Sequence, residues 1–84
     1  MKDADYVILT VKGWDGSRIL GIFSSIEEAT RFRDQFTKNN EPNGFNDEFY
    51  IDVMKLGQTS NSCEILMTPE DMAANTITRK HIYL

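Results

Sequence analysis

The sequence has one cysteine, Cys63, and one histidine, His81. A single thiol cannot close an internal disulfide, so packing alone must hold the fold, and a free thiol suits a reducing compartment. A zinc site draws on four Cys or His ligands, or three and a water, which two such residues cannot supply. No Asp-x-Asp-x-Asp loop offers a calcium cage, and no Walker loop, dinucleotide fingerprint or Gly-x-Ser-x-Gly elbow occurs. No apolar run is long enough to span a bilayer, and none follows Met1-Lys2-Asp3 as a signal segment would require. The expectation is a soluble cytoplasmic protein with no membrane role, no cofactor, no metal and no catalytic residue.

The chain holds 84 residues, too few for a second hydrophobic core, so residues 1–84 are read as a single small domain. Thirteen acids against nine bases leave a net charge of −4. That balance disfavours a basic nucleic-acid footprint, yet it is too mild for a DNA mimic.

From Tyr6 to Lys12 apolar residues alternate, placing Val7, Leu9 and Val11 on one face and Tyr6, Ile8 and Thr10 on the other. The turn residues Gly13-Trp14-Asp15-Gly16-Ser17 predict an antiparallel hairpin into a second strand, Arg18 to Phe23. At Ser24-Ser25-Ile26-Glu27-Glu28-Ala29 the period changes to that of a helix. Ser25 is placed to cap it from the N–H of Glu28, and Glu28 to return to the N–H of Ser25. The helix then runs about Ile26 to Thr37, with Ile26, Ala29, Phe32, Phe36 and the stem of Arg33 as its buried stripe. Lys38 to Gly44 ends it, as a polar loop expected to be mobile. Glu48 to Leu56 reads as a third strand, with Phe49, Ile51 and Val53 opposite Tyr50, Asp52 and Met54. Cys63 to Met67 reads as a short strand returning against the third, with Cys63 buried and inert. Thr68-Pro69-Glu70-Asp71 starts a helical turn, and Thr76 to Leu84 closes the chain as a strand. The predicted fold is α+β: an antiparallel sheet of three core strands, one long helix on one face, and a short C-terminal strand–helical turn–strand addition.

The joint Gly21-Ile22-Phe23-Ser24-Ser25 with Glu27-Glu28-Ala29 and Phe32, followed by Asp47-Glu48-Phe49-Tyr50-Ile51, resembles a unit of short phage and prophage accessory proteins. The likeness covers about Tyr6 to Met54. It implies a phage-type accessory protein in the host cytoplasm that binds and inhibits or modulates a host macromolecule, such as a defence factor. No catalytic residue carries over, because that family is largely without an established activity. The segment Lys12 to Gly16 is also similar to part of a phage anti-defence family that sequesters nucleotide signals, although the rest of that pattern is absent.

The candidate partner-binding residues are Trp14, Tyr6, Ile8, Tyr50 and Met54. Trp14 at the hairpin tip is either a lid on the sheet edge or an anchor for a partner. The other four point away from the helix, and a sheet face left apolar is normally an interface, here of a homodimer. The segment Cys63 to Leu84 is the rival cover for that face. A nucleic-acid or nucleotide-binding regulator is the alternative function, built from Arg18, Arg31 and Arg33 or from the tail Arg79-Lys80-His81 with Tyr83.

Overall fold

A computed structural model describes residues 5–13, 16–39, 47–57 and 59–83. The order is β1 (Asp5–Gly13), β2 (Gly16–Phe23), α1 (Ile26–Asn39), β3 (Glu48–Lys55), β4 (Ser62–Ile65), α2 (Pro69–Ala73) and β5 (Thr76–Ile82). The fold is α+β, as its pattern predicts. Its sheet, however, is five-stranded and mixed, in the order β2-β1-β3-β5-β4. The expected antiparallel trio β2-β1-β3 forms one half. The other half departs from expectation: β5 lies parallel to β3, and β4 pairs with β5 rather than with β3. A parallel neighbour needs a crossover connection, and β4 with α2 supplies it.

Local chemistry explains the joints. Gly13 pairs with Gly16, whose φ of 131° only glycine adopts easily, closing the β1–β2 hairpin. Trp14 and the loop from Asn40 to Gly44 lie outside the described residues, while Lys38 and Asn39 extend α1 beyond its expected end. At the start of α1, Ser25 Oγ accepts the N–H of Glu28 at 3.1 Å, as expected of a cap. Glu28 returns one residue earlier than the capping box predicts, to the N–H of Ser24 at 3.0 Å and to the Ser24 hydroxyl. Those bonds hold the Glu28 carboxyl below its ordinary pKa. The complete box belongs to α2, where Thr68 and Asp71 exchange bonds of 3.1 and 3.2 Å.

Alternation delivers the core. Val7, Leu9 and Val11 of β1, Phe49, Ile51 and Val53 of β3, and Ala29 of α1 are buried together, with Leu20, Phe23 and Phe36 against them. The helix stripe is narrower than its sequence implies. Phe32 is 39% exposed, resting on Phe23 at a ring separation of 5.6 Å, and Ile26 is also 39% exposed. Arg33 takes the buried place instead. Its Nη1 donates to Thr76 Oγ1 at 3.1 Å and stands 3.6 Å from Asp71 Oδ1, while Nε and Nη2 reach Asp34. Asp71 Oδ2 accepts from Thr78 Oγ1 at 3.1 Å. This polar seam joins α1, α2 and β5, and it puts both helices on the same side of the sheet. The cause is the extra width: β5 brings threonines, not aliphatics, under the helices, so an arginine has partners there.

Candidate functional site

Among the described residues, the opposite side of the sheet carries no helix. Residues paired across strands share a face, so the registers identify what lies on it. Tyr6 stands opposite Met54, Ile8 opposite Asp52, and Thr10 opposite Tyr50. Four of the five sequence-derived candidates, Tyr6, Ile8, Tyr50 and Met54, are thus brought onto one surface. Ile8 also faces Ile22, and Thr10 faces Ile19 on β2. These two isoleucines, 64% and 65% exposed, were not picked out by sequence reasoning. They are three residues apart, so strict alternation puts them on opposite faces. The register between β1 and β2 shifts after Leu9, where Gly21 pairs with Leu9 and Ile19 with Thr10. Leu20 is left as the extra residue of a bulge and turns into the core.

On the other flank, Tyr50 pairs with Ile77 and Asp52 with Arg79. The C-terminal segment therefore does not fold over this face. It lies in the plane of the sheet and widens the face instead. Outermost, Cys63 pairs with His81 and Ile65 with Arg79. Cys63 is exposed, not buried as expected, because β4 is an edge strand that no other described element covers.

A charged group sits in the middle of this apolar surround. Asp52 is buried to 8% exposure and takes a forked bond from Arg79, Nε to Oδ1 at 2.7 Å and Nη2 to Oδ2 at 2.9 Å. His81 Nε2 meets the same Oδ1 at 2.7 Å, and its Nδ1 lies 2.8 Å from Ser60 Oγ. A carboxylate can only accept, so Nε2 carries the proton in this pair. Arg79 also stacks on Tyr50, 4.8 Å from the ring centre. The bond to Asp52, ahead of its charge, raises the guanidinium pKa further above its ordinary value. The sequence marks this cluster only through alternation in β3. Its other half lies 27 and 29 residues away, on a strand whose partner the pattern misassigns.

Ser60, His81 and Asp52 form a hydroxyl–imidazole–carboxylate chain. In a hydrolase, the carboxylate's charge stabilises the imidazolium that forms. Here Arg79 already answers that charge, and the Ser60 hydroxyl also has the carbonyl of Ser62 as acceptor at 3.2 Å. What the arrangement does is tie β3, β5 and the residues before β4 together. Among the described residues, no three His, Cys, Asp or Glu side chains are placed to share a metal ion.

Some of the basic groups are engaged internally, whereas Arg18 and Arg31 form no ion pair among the described residues. Arg33 is enclosed in the seam, Arg79 and His81 hold Asp52, and the Tyr83 hydroxyl accepts the N–H of Lys55 at 2.8 Å. No helix among the described residues is long and apolar enough to cross a membrane. No family model matches the chain, and no curated protein and no solved structure matches it.

Proposed function

We propose that the chain is a non-catalytic binding protein, a two-fold dimer through its open sheet face, that inhibits or modulates a host macromolecule. The uncovered five-stranded face supports the dimer, with Ile19, Ile22 and Tyr6 exposed beside Ile8. Five strands at about 4.8 Å and some seven residues at about 3.4 Å outline roughly 500 Å² before side-chain relief is added. A standard interface takes about 800 Å² from each partner, which a face with this relief approaches. The charged centre does not oppose burial, because Asp52 keeps all its partners within one subunit. An isologous contact buries one such patch against its own copy. The phage-type likeness of the β2–α1 joint supplies the class of partner, a host macromolecule. The alternative of a nucleic-acid regulator is less favoured, because Arg33, Arg79 and His81 are spent on internal carboxylates.

Sedimentation equilibrium at micromolar concentration tests the dimer. The expected mass is twice the chain's 9.7 kDa, and Ile8→Glu is expected to return it to that value. A wild-type mass of 9.7 kDa across that range would overturn the dimer.

A further inference from the structure

At one end of the sheet, where β3 and β5 begin, a groove of about 280 Å³ is lined by Glu48, Met67, Met72, Asn75, Thr76 and Ile77. Asn75 adopts a left-handed φ of 50° to leave α2, and its carbonyl accepts the N–H of Phe49, pinning the start of β5 to β3. Met72 and Met67 both line the groove, 67% and 45% exposed. Methionine is unbranched and polarizable, so two methionines lining one groove adapt to whatever apolar group enters.

The rim has a sign. Glu48 is exposed, and among the described residues its carboxylate makes no ion pair or hydrogen bond. Lys12 is opposite it in register, but the two form no salt bridge. Asp71 is not available, being held by Thr68, Thr78 and Arg33. An apolar slot with an unpaired carboxylate selects a cation joined to an apolar group. It also repels phosphate, which argues against nucleic acid and anionic lipid. A volume near 280 Å³ falls just below the roughly 300–1,000 Å³ of small-molecule pockets and suits one anchoring side chain.

We infer that this groove docks a basic amphipathic peptide segment of a partner protein. One large apolar side chain seats against Met67 and Met72, and a neighbouring lysine or arginine meets Glu48. The inference deepens the binding-protein reading by naming a partner's chemistry. By register Glu48 and Ile77 lie at one end of the open face, so peptide binding is measured alongside the mass, which reports the dimer separately.

The methionines themselves report on it. The full chain, labelled with ¹³C at its methionine methyl groups, is titrated with a synthetic helical peptide of leucine and lysine, and with a leucine and glutamate counterpart. Saturable shifts of the Met67 and Met72 methyls with the lysine peptide are expected. Met54, on the open face, is expected to stay fixed, as are all three methyls with the glutamate peptide. Glu48→Lys should weaken binding about tenfold, the loss of one charge-assisted contact. Glu48 is exposed, so this variant is expected to keep its fold, checked by the unchanged Met54 signal. Unmoved Met67 and Met72, equal shifts with the glutamate peptide, shifts in which Met54 joins, or undiminished binding by Glu48→Lys would each overturn the inference.

Discussion

Each face of this sheet holds one buried aspartate against one arginine, and the two pairs are built differently. On the helix side, Asp71 and Arg33 are both enclosed, with side chains 9% and 5% exposed, at a separation of 3.6 Å. On the open side, Asp52 is nearly as buried at 11%, but Arg79 is 33% exposed and binds it at 2.7 Å. The enclosed pair is held by its surroundings, since Asp71 also caps α2 and accepts from Thr78. The open pair is held by its own forked geometry and keeps one edge of the guanidinium toward whatever covers the face. An enclosed pair fixes how elements dock, whereas a half-covered pair can also meet a partner.

Removing one member of each pair separates the two cases. Asp71→Ala leaves Arg33 buried with the neutral Thr76 hydroxyl and the exposed Asp34 as partners, and is expected to cost about 3–5 kcal/mol, read from the denaturant midpoint. A loss below about 1 kcal/mol would show that the seam is not enclosed. Asp52→Ala should cost less, about 1–3 kcal/mol, because Arg79 can turn to water while His81 loses its acceptor. An equal or larger loss for Asp52→Ala would erase the distinction between the faces.

Phe32 sharpens the comparison on the helix side. Full burial predicts a loss of about 3–5 kcal/mol for Phe32→Ala, whereas a ring that is 39% exposed should lose clearly less, about 1–2 kcal/mol. A loss in the upper range would place that ring back in the core. The smallest effect is at the mouth of α1. The Glu28 carboxyl, lowered from its ordinary 4.5 mainly by the Ser24 side chain, adds stability above that pH and loses it as pH falls through the depressed value. Ser24→Ala should therefore flatten the fall in stability below pH 4.5 while changing little between pH 6 and 8. An unaltered acid slope would remove Ser24 from that role.

Local pattern carried a large part of this molecule. Period two placed Val7, Leu9, Val11, Phe49, Ile51 and Val53 on one face, because side chains in a strand must alternate. Hairpin, caps and helix starts followed from Gly16, Ser25 and Thr68-Pro69, whose chemistry acts over three or four residues. The same alternation set Tyr6, Ile8, Tyr50 and Met54 on the other face, and so a candidate surface could be read from the chain.

Tertiary structure decided what alternation cannot encode. A bulge at Leu20 puts Ile19 and Ile22 on the same face, and a bulge is a mismatch between two strands rather than a property of one. The parallel pairing of β3 with β5 is set by a crossover, and it alone brings Arg79 and His81 to Asp52. It also spreads the C-terminal segment beside the sheet instead of over it, exposing Cys63 and leaving the face open. Arg33 sits on the buried stripe of α1 because β5 and α2 place Thr76 and Asp71 beneath it. Periodicity fixes which way a side chain points, but its neighbours come from strand order, and strand order is settled only when the whole sheet packs.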